Sequence, residues 1–91
     1  MKKRLVLKTF GEVQGINFRS MVKMKCIDLG LNGVVKNYSD GSVYIEAEGE
    51  QEKLENLVVW VNSSPSFSKV TGVEDFWSEC QDKFEDFRIE Y

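Results

Sequence analysis

The chain contains no histidine, and its two cysteines, Cys26 and Cys80, are not spaced as a Cys-x-x-Cys pair. Structural zinc sites draw four ligands from cysteine and histidine, so we expect no metal and no cofactor. We expect Cys26 to be a small buried side chain and Cys80 an exposed thiol. Histidine is also the commonest general acid and base, so chemistry here must use other side chains or the backbone.

Long apolar runs and an excess of basic residues are missing as well. No stretch approaches the roughly 20 apolar residues of a transmembrane helix, and the apolar run of "MKKRLVL" ends at Leu7, too early for a signal peptide. We therefore expect a cytoplasmic protein without membrane contact. The net charge of −3, with "KKR" at 2–4 as the only basic run, is unsuited to nucleic acid binding.

What is present is the composition of an ordinary globular domain. Apolar residues make up 42% and charged residues 30% of the 91 positions, and no linker or repeat divides the chain. We expect one domain over residues 1–91, acting as a monomer.

The first third of the chain predicts a strand and a helix. Residues 4–12 are rich in strand-forming residues and roughly alternate, which is typical of a strand covered on at least one face. Apolar residues then recur at helical spacing and predict a helix that ends at Gly30, a favoured stop residue. The members of this stripe are Phe18, Val22, Cys26 and Leu29.

The remaining two thirds predict a hairpin, a second helix and two further strands. Residues 32–38 and 43–49 form the hairpin, and we expect Asp40 and Gly41 to supply the positive φ values of its turn. The second arm alternates in the manner of a sheet with one solvent-facing side. Residues 51–62 predict the second helix, and residues 69–77 and 84–91 two more β segments. We assign Phe67, Phe76 and Trp77 to core and sheet packing.

The resulting order is βαββαβ with an additional C-terminal β segment. This order is typical of the ferredoxin-like α+β sandwich, in which one antiparallel sheet carries both helices on one face.

The segment "GEVQGINFRSM" at 11–21 joins the first strand to the first helix. Gly11 and Gly15 allow successive backbone amides to turn inward, and amides at a helix N-terminus form a site for an anion such as phosphate. Arg19 falls in the first helical turn, where a cation opposes the helix dipole, so a bound dianion would account for it. An ordinary turn with an exposed arginine remains an equal alternative.

Asn37 lies near the end of the strand that precedes the hairpin. A strand-end asparagine usually bonds to nearby backbone in a turn. Its amide could instead orient a water molecule beside the loop, since it both donates and accepts hydrogen bonds. Spacing alone leaves both interpretations open.

Four segments together resemble the acylphosphatase family: "GEVQGINFR", "CIDLGLNGVVKN", "DGSV" and the closing "FRIEY". The resemblance covers essentially the whole chain in the family's order. It implies a ferredoxin-like enzyme that hydrolyses the carboxyl-phosphate bond of small acyl phosphates. It further implies that Arg19 anchors the phosphate, that Asn37 positions the attacking water, and that the cradle consists of backbone amides of Gln14, Gly15, Ile16, Asn17 and Phe18.

A site without histidine suits this substrate class. The carboxylate leaving group has a conjugate acid with a pKa of about 4, so it departs without a proton. Glu12 and Asn17 depart from the family pattern, and Glu12 would weaken phosphate binding if it faced the loop. It therefore favours the alternative of a noncatalytic phosphate-binding or anion-binding module of the same fold. An RNA-binding domain of this topology is excluded by charge and by the missing aromatic sheet motif.

Overall fold

Two layers form the structure, a computed structural model that describes residues 1–66 and 68–91: a five-stranded sheet and two helices. The elements follow the predicted order. They are β1 (Lys2–Glu12), α1 (Phe18–Asp28), β2 (Asn32–Asn37), β3 (Val43–Glu50), α2 (Gln51–Asn62), β4 (Lys69–Glu79) and β5 (Phe87–Glu90). The strands lie in the order β4-β1-β3-β2-β5. The predicted ferredoxin-like arrangement with an additional C-terminal strand is confirmed.

The sheet is mixed because of its last strand. β1 pairs antiparallel with β3 and β4, and β2 pairs antiparallel with β3, as predicted for the four-stranded part. β5 pairs with β2 in parallel and occupies only the second half of the predicted 84–91 segment. β4 runs two residues further than predicted, to Glu79. The parallel direction of β5 carries the end of the chain to the same side as the end of β2.

Both helices pack on one face of the sheet. The β1–β3 register places Leu5 opposite Ala47 and Leu7 opposite Ile45, and all four side chains are fully buried. Three residues of each helix join them in the same core. These are Phe18, Val22 and Cys26 of α1 and Leu54, Leu57 and Val61 of α2. The predicted helical stripes therefore face the sheet.

α1 ends as the sequence predicts. Gly30 follows the helix with a φ of 72°, and the Leu31 amide donates to the Cys26 carbonyl oxygen at 2.8 Å. This hydrogen bond is typical of the Schellman motif, in which a glycine in the left-handed region ends the helix. Cys26 is fully buried, and burial raises the pKa of its thiol to about 12. Cys80 is half-buried rather than exposed.

The opposite face of β3 is less open to solvent than predicted. Glu46 and Glu48 each keep only 5% of their surface exposed. Glu46 forms an ion pair with Arg4 at 2.7 Å, and Glu48 accepts hydrogen bonds from the backbone amides of Gln81 at 2.5 Å and Lys83 at 2.9 Å. The segment between β4 and β5 thus crosses this face and is hydrogen bonded to it. These bonds fix the path that places β5 beside β2.

The β2–β3 turn uses one positive φ rather than two. Gly41 has a φ of 92°, whereas Asp40 is not among the described residues with positive φ, so that part of the prediction was wrong. Three residues lie between Tyr38 and Ser42, whose backbones are hydrogen bonded at 2.9 Å, and such a loop needs one left-handed residue at its end. Asp40 instead accepts hydrogen bonds from the amide and hydroxyl of Ser42.

Phe76 and Trp77 do not fill the core. Phe76 is 60% exposed and Trp77 41% exposed, which contradicts their assignment to core packing. Both belong to β4, an edge strand, where a side chain has a neighbouring strand on one side only. Phe67 lies outside the described residues.

Candidate active site

The loop between β1 and α1 carries two residues in the left-handed region. Gly15 has a φ of 76° and Asn17 a φ of 62°. The first hydrogen bond of α1 runs from the Met21 amide to the Asn17 carbonyl oxygen at 3.0 Å. The amides of Phe18 and the next two residues therefore lack a carbonyl partner within the helix. They stand at the positive end of the helix dipole, which favours an anion there.

A cavity of about 270 Å³ opens at this helix start. It gathers the loop, the first turn of α1, the end of β2 and the region of β5. The lining residues are Val13, Gln14, Gly15, Asn17, Phe18, Arg19, Ser20, Asn37, Ile89 and Tyr91. Six of the seven residues predicted for the site are among them. The exception is Ile16, whose side chain packs against the core instead.

The side chain of Arg19 contacts the last two residues of the chain. Its Nη1 donates to the Glu90 carbonyl oxygen at 3.3 Å, and its guanidinium carbon lies 4.8 Å from the centroid of the Tyr91 ring. None of the described carboxylates forms an ion pair with it. Neither the carbonyl nor the aromatic ring neutralises the charge of Arg19. The guanidinium therefore remains available to bind an anion.

Asn37 contributes an unsatisfied polar atom. It is the last residue of β2 and pairs with Val43, which is fully buried on the helix-facing side of the sheet. Within residues 1–66 and 68–91, its Oδ1 is the one buried side-chain oxygen or nitrogen that has no hydrogen-bond partner. Leaving a buried acceptor unpaired costs stability, so this atom is available to accept a hydrogen bond from a molecule in the cavity.

Gln14 joins the loop to the hairpin that carries Asn37. Its Nε2 donates to the carbonyl oxygens of Tyr38 and Ser42, each at 2.9 Å. Both bonds bridge segments more than 20 residues apart in sequence. The distance between the amides of the loop and the side chain of Asn37 is therefore fixed by a side-chain amide rather than by the sheet alone.

Glu12 faces away from the cavity. It pairs with Lys69 across the β1–β4 ladder, and their charged groups are 3.7 Å apart with both side chains mostly exposed. It does not line the cavity. Its charge is therefore directed to Lys69 and away from the loop before α1.

Residues at the end of the chain were missed by the sequence analysis. Ile89 and Tyr91 line the cavity, and Glu90 holds Arg19 through its backbone. The sequence contains no local signal for this, because the contact between Arg19 and Glu90 joins positions 71 apart. Ser20 lines the cavity as well, and its place directly after Arg19 could have suggested it.

Two further findings concern metals and membranes. Among the residues the structure describes, no three histidine, cysteine, aspartate or glutamate side chains are grouped so that they could hold a metal ion. In the same residues, no helix combines the length and the apolar character needed to cross a membrane.

The fold and the cavity define a small α+β sandwich with a cavity at the start of its first helix. Comparison with known proteins makes the assignment specific. The family model for acylphosphatase matches residues 5–89. An acylphosphatase of Caldanaerobacter subterraneus subsp. tengcongensis is 37% identical over 89 residues, covering 98% of this chain and 99% of the relative. One of Salinibacter ruber is 40% identical, covering 97% and 93%.

A solved structure agrees over the full length. The crystal structure of acylphosphatase from Bacillus subtilis superposes with a TM-score of 0.90 at 36% sequence identity, covering all of both chains. The chain belongs to the acylphosphatase family. It is accordingly a hydrolase, and the family acts on small acyl phosphates.

Proposed function

We propose that this chain hydrolyses the carboxyl-phosphate bond of acyl phosphates with Arg19 as the phosphate anchor and Asn37 as the residue that positions the attacking water. The observation that carries the proposal is the Asn37 Oδ1, which is buried without a hydrogen-bond partner among residues 1–66 and 68–91 and shares a cavity with Arg19 and the start of α1. A water molecule hydrogen bonded to Oδ1 would satisfy that atom. It would also stand beside any phosphate held by the loop.

Phosphate binding is assigned to the backbone amides of Gln14 through Phe18, together with the Arg19 guanidinium. Ile16 takes part in this cradle through its amide only, since its side chain packs on the core. The helix dipole and the cation act on the same dianion. The Glu90 carbonyl and the exposed Tyr91 ring both contact the guanidinium, which favours this orientation of Arg19 before phosphate binds.

The reaction is an in-line displacement at phosphorus. The water oxygen held by Asn37 forms a bond to phosphorus while the bond between phosphorus and the acyl oxygen breaks. The electron pair of the broken bond stays on the carboxylate, whose conjugate acid has a pKa of about 4, so the leaving group needs no proton. The proton of the water passes to the phosphate product or to solvent. Arg19 and the amides stabilise charge on the transferring group.

The alternative is a noncatalytic phosphate-binding or anion-binding module. The sequence feature in favour of this alternative was Glu12. Because Glu12 pairs with Lys69 outside the cavity, it no longer supports the alternative. Thermal stabilisation by phosphate without hydrolysis of any acyl phosphate would select this alternative.

The decisive experiment is hydrolysis of benzoyl phosphate by the purified protein, with and without a chelator. We expect turnover that the chelator leaves unchanged, and loss of roughly 10²-fold or more in kcat/KM for Arg19→Ala, as for removal of one charge-stabilising donor. Arg88→Ala is the matched control, because Arg88 is an exposed arginine paired with Asp86 outside the cavity. Full activity of Arg19→Ala would overturn the assignment of Arg19, and dependence on a metal would overturn the cofactor-free mechanism.

The proposal includes one domain over residues 1–91 that acts as a monomer in the cytoplasm without nucleic acid. Light scattering during gel filtration under assay conditions measures the oligomeric state. Cell fractionation tests the location.

A further inference from the structure

The hairpin between β2 and β3 supplies both acceptors that hold the side chain of Gln14. The Gln14 Nε2 donates to the carbonyl oxygens of Tyr38 and Ser42, and Asn37 directly precedes Tyr38 in the chain. The spacing between the loop before α1 and Asn37 therefore depends on how these two carbonyls are directed. This inference rests on the proposed function, in which the loop holds phosphate and Asn37 holds the water.

Asp40 binds a donor that would otherwise compete with Gln14. In a regular antiparallel pair, two facing residues exchange both of their backbone hydrogen bonds. Here the Tyr38 amide donates to the Ser42 carbonyl oxygen at 2.9 Å, whereas the Ser42 amide donates to Asp40 Oδ1, also at 2.9 Å. The Tyr38 carbonyl oxygen instead accepts from Gln14 Nε2 at 2.9 Å and from the Gly41 amide at 3.2 Å. Both lone pairs of that oxygen are then in use.

Two further contacts fix the Asp40 carboxylate from outside the cavity. Its Oδ1 also accepts from the Ser42 hydroxyl at 2.6 Å, and its Oδ2 lies 3.2 Å from Lys8 Nζ. Lys8 Nζ is in turn 5.3 Å from the centroid of the Tyr38 ring. Asp40 is exposed and does not line the cavity. Hydrogen bonds to a charged acceptor are the stronger kind, so this exposed side chain can keep the hairpin ordered.

We propose that Asp40 is a positioning residue for the reaction and acts on the cavity through Gln14. Without the carboxylate, the Ser42 amide faces the Tyr38 carbonyl oxygen across the hairpin and competes with Gln14 for it. A weaker bridge lets the attacking water lose its alignment with phosphorus. Phosphate binding itself is kept, because its proposed ligands lie in the loop and in α1, whereas the contacts of Asp40 are to Ser42 and Lys8.

Asp40→Ala tests the proposal by separating turnover from phosphate binding. We expect kcat for benzoyl phosphate to fall roughly five- to tenfold, while the inhibition constant of inorganic phosphate changes by less than about twofold. Asp40→Asn keeps an oxygen that accepts from Ser42 and should retain about half or more of the wild-type kcat. Asp86→Ala is the matched control and should change neither quantity, since Asp86 is an exposed aspartate that accepts from Arg88 outside the cavity.

A double variant tests the path through Gln14. If Asp40 acts through that side chain, adding Asp40→Ala to Gln14→Ala should lower kcat no further, and two effects that multiply would overturn the proposal. Asp40→Leu is close to aspartate in size but has no acceptor, so it should reproduce the loss seen in Asp40→Ala. Thermal melts verify that each variant is folded at the assay temperature.

The outcomes distinguish this proposal from the function on which it rests. A wild-type kcat in Asp40→Ala overturns the proposal while the proposed function stands. A phosphate inhibition constant that rises as far as kcat falls does the same, and so do equal losses in Asp40→Asn and Asp40→Ala. Failure of the wild type to hydrolyse benzoyl phosphate overturns the proposed function itself.

Discussion

The Nε2 atom of Gln14 lies 2.9 Å from the carbonyl oxygen of Tyr38, and this hydrogen bond connects the loop before α1 to the hairpin after Asn37. The same nitrogen also donates to the Ser42 carbonyl oxygen. The two halves of the candidate site belong to segments that the sheet alone does not hold at a fixed distance. Gln14 therefore positions the loop proposed to bind phosphate against the residue proposed to hold the water.

Gln14→Glu should lower both stability and activity. The carboxylate keeps the size of the side chain but replaces two donated hydrogen bonds with repulsion from two carbonyl oxygens. We expect a loss of about 1–3 kcal/mol in the free energy of unfolding, measured in urea, and a fall in kcat for benzoyl phosphate. Gln51→Glu, at an exposed helical glutamine that contacts Glu55, is the control; it should leave kcat unchanged and lower the free energy of unfolding by no more than about 0.5 kcal/mol. Wild-type kcat in Gln14→Glu would show that the bridge does not position the site.

Asn37→Ala should separate function from stability. Replacing Asn37 should cost the free energy of unfolding little, because its Oδ1 makes no hydrogen bond to a described residue that the change would break. The water would lose its positioning group, so kcat should fall more than KM rises. Paired steady-state kinetics and thermal melts on one preparation measure both effects. A pure rise in KM would assign Asn37 to substrate binding instead.

Tyr91→Ala should weaken the hold on Arg19. The ring lies 4.8 Å from the guanidinium carbon, and an exposed cation–π contact of this kind contributes about 0.5–1 kcal/mol. We expect KM for benzoyl phosphate to rise roughly two- to fivefold, with a smaller change in kcat. Tyr91→Phe keeps the ring and should restore the wild-type KM. If the phenylalanine variant behaved like the alanine variant, the hydroxyl rather than the ring would be responsible.

Asp40 should make the hairpin sensitive to acid. Hydrogen bonds from the side chain and then the backbone of Ser42, followed by one from Lys8, lower the pKa of Asp40 from 3.8 to about 2. A carboxyl whose folded pKa is depressed contributes stability above its unfolded pKa and loses it as the pH falls through the folded value. The free energy of unfolding should therefore decline between about pH 4 and pH 2, and decline less in Asp40→Asn.

Urea titrations at several pH values in that window test this, with Asp28→Asn as the control. Asp28 is an exposed aspartate on α1. Equal slopes against pH for wild type and Asp40→Asn would show that the bonds to Ser42 and Lys8 do not persist in solution.

Much of the fold could be predicted because local patterns encode it. The second helix was predicted over 51–62 and spans Gln51–Asn62, since its apolar residues recur with the helical period and a proline-containing loop follows. β5 was predicted too long and without its direction. A short strand of alternating residues pairs equally well in either direction until the preceding chain fixes its path, and here the bonds of Glu48 to Gln81 and Lys83 do so.

In the candidate site as well, some residues could be predicted from the sequence and others could not. Arg19 and Gln14 lie within one short segment, so the resemblance to the family predicted them together, and it predicted Asn37 from the segment before the hairpin. Glu12 could not be oriented from the sequence, because its direction depends on Lys69 across the ladder.

By itself, the sequence determined the order of strands and helices, the loop with its glycines and the family to which the chain belongs, since each is encoded in residues close together. Only the tertiary structure decided that β5 runs parallel to β2 and that Tyr91 and the Glu90 carbonyl hold Arg19. It likewise left the Asn37 Oδ1 buried without a partner among the described residues. These features depend on register and on packing between distant segments, which local propensity does not contain.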